Sequence, residues 1–252
     1  MSKFMFITDL DNTLVGDSVA LAELNQQLSA HRKQHGTLIV YSTGRSPTLY
    51  KQLRQEQDMI EPDFTVLSVG TLIYPGGSDG PDAEWSNILS DGWDREAVVA
   101  TTAHFSDLVP QPDSEQTPHK ASYFLQAAIA DELLPQLKGA LTQKGLEIQL
   151  VYSSGKDLDI LPKRGNKGAA VAFLQQRLGM PQQSTVVCGD SGNDLSMFQA
   201  ANAKGIIVGN ARDELREWHQ REASSDVYLA QASCAGGILE GLKHFGFLQS
   251  AD

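Results

Sequence analysis

Residues 4–16, Phe4-Met5-Phe6-Ile7-Thr8-Asp9-Leu10-Asp11-Asn12-Thr13-Leu14-Val15-Gly16, constrain this chain more than any other stretch. A short apolar run bounded by turn residues reads as a strand buried on both faces within a parallel sheet. Asp9 and Asp11 close it on alternate positions, which puts both carboxylates on one side of an extended chain. Open α/β sheets bind their ligands beyond the carboxyl ends of their strands. Two neighbouring acids there repel each other, and a hard cation relieves that repulsion most simply.

The rest of the first third repeats this strand-and-helix rhythm. Residues 19–32 carry Leu21, Leu24 and Leu28 at helical spacing, and residues 37–42 form the next apolar strand, followed by Thr43-Gly44-Arg45. Ser46 at the cap and Pro47 at the first helical position predict a helix there. Residues 64–69 read as a third strand ending at Gly70-Thr71. Such alternation predicts a parallel sheet covered on both faces.

Near residue 75 the rhythm stops at Pro75-Gly76-Gly77-Ser78-Asp79-Gly80-Pro81, a turn-rich segment of the kind that separates domains. Beyond it the pattern predicts a helix over 94–105 and a strand over 120–126. A further helix is expected from Asp131, as cap, to about Lys144, with Pro135 in its first turns. Residues 146–152 and 156–161 read as strands, and Asp157 and Asp159 alternate with Leu158 and Ile160, as in an antiparallel sheet with one wet face. The α/β rhythm then returns. Lys167 opens a helix that stops at Gly179, and residues 184–189 form a strand leading into Asp190-Ser191-Gly192-Asn193-Asp194. Residues 195–201 are helical, residues 205–209 form another strand, and a last helix covers about 236–245. The expected organisation is a core of residues 1–79 and 161–252 interrupted by an α+β domain over 80–160.

A formal net charge of -11, without any block of Lys or Arg, argues against nucleic acid or an anionic membrane as partner. No run approaches the roughly 20 apolar residues of a membrane span, and no leader is visible before the first strand. Cys188 and Cys234 are far apart and lack metal-ligand spacing, so a cytoplasmic protein without structural disulfides is expected.

Four elements recur in order: Asp9-x-Asp11-x-Thr13, Thr43-Gly44-Arg45, Lys167, and Gly189-Asp190-x-x-Asn193-Asp194. Together they resemble the motifs of the haloacid dehalogenase (HAD) superfamily of phosphotransferases. The resemblance implies a Rossmannoid parallel sheet with an inserted α+β cap of the C2 type. It makes Asp9 the nucleophile, forming an aspartyl-phosphate, and Asp11 the acid and then base, which suits a reaction that needs charge neutralisation and positioned proton transfer. Mg²⁺ is the implied cofactor, held by Asp9, the backbone carbonyl of Asp11, and Asp190, with Asn193 and Asp194 acting directly or through waters. Thr43 and Gly44 would hold a phosphoryl oxygen and Lys167 would face the phosphoryl group with its charge. A salt-bridge role is expected for Arg45.

The cap stretches Pro118-His119-Lys120-Ala121-Ser122-Tyr123 and Ser153-Ser154-Gly155-Lys156-Asp157-Leu158-Asp159-Ile160-Leu161-Pro162, with Ser68-Val69-Gly70-Thr71 in the core, are similar to the sucrose-phosphatase family, in its shorter cyanobacterial form. Leu72 departs from that pattern, which has an acidic residue. The likeness implies hydrolysis of sucrose 6F-phosphate to sucrose and phosphate, the last step of sucrose synthesis. His119, Lys120, Tyr123, Lys156, Asp157 and Asp159, with Asn193 in the core, become candidate contacts to substrate. Closure of cap on core would exclude water from the reaction. The expected partner is a small sugar phosphate, with the chain a monomer; the fusion of related domains to sucrose-phosphate synthases adds that synthase as a further candidate. Three readings stand beside this one: the same chemistry on mannosylglycerate, glucosylglycerate or trehalose phosphates, a phosphosugar mutase, and a catalytically silent module that binds phosphosugar or docks on sucrose-phosphate synthase.

Overall fold

The computed structural model describes residues 2–200, 202–222 and 224–249. The core opens with β1 (Met5–Thr8), α1 (Ser18–His35), β2 (Leu38–Ser42), α2 (Pro47–Glu56), β3 (Phe64–Leu67) and β4 (Leu72–Pro75). The chain then passes through α3 (Ala83–Ser90), α4 (Arg95–Thr102), β5 (Val109–Pro110), β6 (Ala121–Phe124), α5 (Ala127–Gln143), β7 (Ile148–Ser153) and β8 (Asp157–Pro162). It returns with α6 (Lys167–Leu178), β9 (Thr185–Gly189), α7 (Leu195–Ala200), β10 (Lys204–Ile207), α8 (Asp213–Glu222), β11 (Val227–Leu229) and α9 (Cys234–His244).

Seven strands form one sheet in the order β11-β10-β9-β1-β2-β3-β4, parallel except for β4, which runs back along β3. The near-continuous apolar character of β1 follows from burial on both faces. Phe4 and Phe6 pack with Leu21, Leu24 and Leu28 of α1 and Ile238 of α9, while Met5 and Ile7 pack with Val171 and Leu174 of α6. β1 lies between β2, the next strand in sequence, and β9, so its carboxyl end opens at the point where the strand order switches.

The second sheet, β5-β6-β8-β7, is antiparallel. One of its faces carries Ala121, Tyr123, Leu158 and Ile160 against Val98 of α4 and Leu133 and Leu137 of α5. The other turns toward the carboxyl ends of the core strands, where Ser46 donates a 3.0 Å hydrogen bond to Glu115 of the cap.

Several boundaries differ from expectation for physical reasons. α5 starts a turn before Asp131, with Gln126 at the cap position, so Pro135 lies inside the helix. Proline cannot donate to the carbonyl of Asp131, and that residue is exposed to solvent, so water can serve instead. The strand expected over 64–69 stops at Leu67 because Ser68, Val69 and Gly70 all take positive φ (52°, 60° and 98°). α3 lies within the segment expected to form the cap, yet Trp85 and Leu89 pack into the core with Met5, Ile7 and Val66. Ala201, at the end of the helix expected over 195–201, and residues 250–252 of the expected core lie outside the described residues.

Candidate active site

Three strand ends, of β1, β2 and β9, and the start of α6 build the site. The Asp9 N–H donates to the Cys188 carbonyl on β9, which carries the β1–β9 pairing one residue past the strand. Asp190 follows β9 directly, and the Thr13 hydroxyl donates to its Oδ1 at 3.1 Å, so the threonine of the first motif braces the first acid of the last. Lys167 is the first residue of α6, whose cap Asn166 accepts the Ala169 N–H at 2.8 Å. Its ammonium is fully buried, donating to Asp9 Oδ1 and to Asp194 Oδ1, both at 2.6 Å. Asp194 Oδ2 accepts the backbone N–H groups of Asp190 and Ser191 at 3.0 and 3.1 Å. Both oxygens of Asp194 are thereby committed to holding the loop and the lysine. A Cβ on Gly189 would lie 2.5 Å from the Asp194 side chain, so only glycine admits this arrangement.

Asp9, Asp190 and Asp194 offer carboxylate oxygens that all lie within 4.8 Å of one another. Three buried carboxylates against one ammonium leave an excess of two negative charges when all are ionised. The electrostatics register that excess. Burial pushes the Asp9 carboxyl well above its ordinary range, and Asp194 and Asp190 add to the push against the pull of Lys167. Burial, with Asp194 beside it, pushes Asp190 up to about 6. Burial alone would lower the Lys167 ammonium, but Asp194 and Asp9 outweigh it and hold the group above its ordinary value. Asp9 Oδ2 and Asp190 Oδ2 have no hydrogen-bond partner among the described residues. Two free, oxygen-only donors and two surplus negative charges fit a hard divalent cation.

Asp9 and Asp190 border a cleft of about 240 Å³ between core and cap. Asp11, Thr43, Gly44 and Asn193 line its core side, and Lys120, Asp157 and Asp159 line its cap side. The Thr43 hydroxyl accepts the Arg45 N–H at 3.1 Å, and its own proton has no acceptor among the described residues. Asp11 is held by Arg45 through two hydrogen bonds of 2.7 Å, one to each carboxylate oxygen, so the expected salt bridge of Arg45 is with the second acid of the first motif. Each Asp11 oxygen thus accepts one hydrogen bond from Arg45 and keeps a second lone pair for a proton. Lys167 and Asp194 stand behind the cleft wall rather than in it.

On the cap, Lys120 and Asp159 are buried and joined at 3.3 Å, and the Ser122 hydroxyl donates to the same Asp159 oxygen at 2.6 Å. Gln111 donates to Asp157 at 3.1 Å. Three expected substrate contacts lie away from the cleft. Tyr123 is on the helix-packed face, with its hydroxyl 2.6 Å from that of Thr102. His119 is buried against Ser90 at the end of α3, with 3.0 Å between Nε2 and the hydroxyl. Lys156 is exposed in the β7–β8 turn. Strand alternation explains the first: Tyr123 shares a face with Ala121 and stands three positions along from Lys120, an odd step.

The cleft also contains groups that the motifs do not name: Gln111 and Glu115 from the segment after β5, Ser153 and Ser154 at the end of β7, and Arg212. Arg212 forms no salt bridge among the described residues, and its backbone N–H donates to the Asp190 carbonyl. It lies shortly past the carboxyl end of the strand expected over 205–209, a position at which a cation is informative. Gln111 and Glu115 follow no periodic pattern that would have singled them out.

Beside the cleft, which Val69 lines, the positive-φ run Ser68–Gly70 joins two segments of the site. Ser68 and Val69 donate to the carbonyls of Arg45 and Thr43, and a Cβ on Gly70 would lie 2.2 Å from the Asn166 backbone. Positive φ at a β-branched residue such as Val69 is strained, and it persists because both neighbours hold it.

Comparison with known proteins places this geometry. Residues 2–246 match the family model described as sucrose-6F-phosphate phosphohydrolase. Sucrose-phosphatase 1 of Nicotiana tabacum is 40% identical over 97% of this chain and 59% of its own length. The mannosylfructose-phosphate phosphatase of Agrobacterium fabrum is 32% identical over 95% of both chains. The X-ray structure of the sucrose-phosphatase from Synechocystis sp. PCC6803, in complex with sucrose and phosphate, superposes with a TM-score of 0.91 at 41% identity, over 99% of this chain and all of that one. The core is a HAD-like sheet and the antiparallel sheet a C2-type cap. The chain belongs to the sucrose-6F-phosphate phosphohydrolase family, and it spans about 59% of the length of the tobacco relative.

Proposed function

From membership of the sucrose-6F-phosphate phosphohydrolase family, we infer that this chain is a Mg²⁺-dependent phosphatase that hydrolyses sucrose 6F-phosphate to sucrose and phosphate. The observation that carries the reading is the buried trio Asp9, Asp190 and Asp194 around Lys167, opening on a cleft whose far wall is polar cap surface. Residues 1–79 and 161–252, joined by α3 (Ala83–Ser90), which packs on them, act as the catalytic core, and the rest of residues 80–160 as the domain that selects the substrate. A cytoplasmic monomer whose partner is the sugar phosphate itself fits this reading.

Asp9 attacks phosphorus with a carboxylate oxygen. A bond forms between that oxygen and phosphorus, the bond to the sugar oxygen breaks, and Asp11 gives the departing alkoxide its proton. Asp11, now a base, removes a proton from water, which attacks the aspartyl-phosphate to release phosphate and restore Asp9. Thr43 donates its free hydroxyl proton to a phosphoryl oxygen, and the Gly44 N–H stands beside it. Lys167 keeps Asp9 and Asp194 in place from behind. Asp9 and Asp190, with the Asp11 carbonyl, would hold Mg²⁺, with Asn193 and Asp194 beside them, and the ion when bound neutralises charge on the phosphoryl group.

Specificity for the sucrose ester rests on the cap wall of Lys120, Asp157 and Asp159, together with Gln111 and Glu115. A second substrate, mannosylfructose phosphate, is favoured by the relative from Agrobacterium fabrum, which this chain matches over nearly its whole length. Phosphate release should be measured with and without Mg²⁺ on sucrose 6F-phosphate, mannosylfructose phosphate and trehalose 6-phosphate. A strong, metal-dependent preference for the sucrose ester is expected. Preference for either other ester would overturn the substrate, and absence of release from all three would overturn the enzyme.

A further inference from the structure

The two crossings between core and cap, residues 91–92 and 162–166, lie side by side and meet at the start of β7. Arg164 pairs with Asp91 at 3.1 Å, the Glu147 N–H donates to the Gly92 carbonyl, and the Lys163 N–H donates to the Glu147 carbonyl. Gln149 is the hub of this junction. Its Nε2 lies 3.0, 3.2 and 2.9 Å from the carbonyls of Pro162, Lys163 and Gly165, so the returning crossing curls around a single amide. Its Oε1 accepts the Asn166 Nδ2 at 3.0 Å.

Asn166 is no ordinary hinge residue. The same side chain caps α6 through the Ala169 N–H, and Lys167 is the first residue of that helix. From the other side, Gly70 presses on the Asn166 backbone so closely that a Cβ would meet it at 2.2 Å. Asn166 is thus held between a core wedge and a cap side chain. β7 also ends at Ser153, which with Ser154 lines the cleft. Four residues separate Gln149 from Ser153, about 13 Å of extended chain. One strand therefore touches the cleft at one end and the seat of the buried lysine at the other.

We propose that Gln149 is a positioning residue: through Asn166 it makes the placement of Lys167, and with it of Asp9, depend on the attitude of the cap. Substrate that engages the cap at Ser153 and Ser154 sets β7, β7 sets the Gln149–Asn166 hydrogen bond, and that bond fixes the first turn of α6. The proposal rests on the phosphatase reading above. Its consequence is that turnover of an ester large enough to touch the cap uses the coupling, while turnover of a small ester does not.

Three variants test it: Gln149→Glu, which sets a carboxylate oxygen against three carbonyls; Asn166→Ser, which keeps a helix cap but loses the donor to Gln149; and the double variant. Each is assayed on sucrose 6F-phosphate and on p-nitrophenyl phosphate with Mg²⁺, after circular dichroism has shown that it is folded. The expected result is a fall in kcat of about tenfold on the sugar ester, as small displacements of a positioned group produce, with little change in KM. Activity on p-nitrophenyl phosphate should stay within about twofold, and the double variant should be no worse than either single one, as residues acting through one bond require. Unchanged kcat on the sugar ester in both single variants overturns the proposal. So does an equal loss on both esters, which would make Gln149 a fixed support indifferent to the cap. Wild-type protein inactive on both esters overturns instead the phosphatase reading, and the proposal falls with it.

Discussion

The two walls of the cleft handle charge in opposite ways. On the core wall, Asp9 and Asp190 each keep an oxygen without a partner, three carboxylates share one ammonium, and burial pushes two of them toward the neutral form. On the cap wall, Lys120 is matched by Asp159, Asp159 also accepts from Ser122, and Asp157 accepts from Gln111. The core wall is unfinished and needs a cation to complete it. The cap wall is balanced pair by pair but not saturated: Asp157 Oδ2 and Asp159 Oδ2 have no hydrogen-bond partner among the described residues, so a sugar hydroxyl can bind there without displacing a bond. On the core wall a surplus of like charge calls for a cation; on the cap wall, paired charges leave single acceptors free for neutral hydroxyls.

The sharpest way to break this contrast is Asp9→Asn. It removes the proposed nucleophile and one surplus charge, and phosphate release should fall by at least about 10³-fold. The melting temperature should move little, because a crowded carboxylate has been replaced by a neutral group of the same shape. A variant as active as wild type would remove Asp9 from the mechanism. On the cap wall, Lys120→Ala leaves Asp159 buried without its cation and should cost about 3–5 kcal/mol of stability, read from urea unfolding. If Lys120 and Asp159 were not a matched buried pair, that loss would be absent.

Protons sharpen the contrast further. With its carboxyl pushed up to about 6, Asp190 is protonated in the metal-free protein below that pH and charged above it. Because the folded value lies above the unfolded one, this group favours the folded state in acid and loses that contribution as the pH rises through about 6. Mg²⁺ must displace the proton in acid, so its apparent affinity should fall by about tenfold per pH unit below that point. Mg²⁺ should accordingly raise the melting temperature more at pH 7.5 than at pH 5.5, and an equal rise at both would contradict the surplus-charge account. The smallest effect is expected from Tyr123→Phe. It deletes the hydrogen bond to Thr102 at a cost of about 1 kcal/mol, and KM for the sugar ester should not change.

Sequence patterns carry different amounts of information about the two walls. The carboxyl ends of parallel strands converge on one line, so a residue recognised just past such an end has nowhere else to go. Asp9, Thr43 and Asp190 are brought together on that ground, with Lys167 added by the start of the helix behind them. A strand in an antiparallel sheet has two faces, and parity decides between them. Lys120 and Asp159 fall on the cleft face, whereas Tyr123, an odd number of residues from Lys120, is carried to the helices. Gln111 and Glu115 lie in a segment without period, so only tertiary packing places them. The bond between Arg45 and Asp11 spans 34 residues and was legible only in part, as a salt bridge lacking its second member. α3 illustrates the same limit: its eight residues follow the turn-rich segment, but the apolar surface that Trp85 and Leu89 need is on the core.

The sheet order has a consequence for the birth of the molecule. β1 is made first and ends at the middle of the sheet, paired with β2 on one side and with β9 on the other. β2 follows within about thirty residues, but β9 begins only at Thr185, after the whole cap has been synthesised. At roughly 5–20 residues per second, translation leaves one edge of this strongly apolar strand open for about 10–35 s. An open edge of Met5, Phe6 and Ile7 is a template for pairing with other chains, so the nascent chain passes through its most aggregation-prone stage while the cap is being made. The inserted cap lengthens the interval during which the newborn core must be kept from its neighbours.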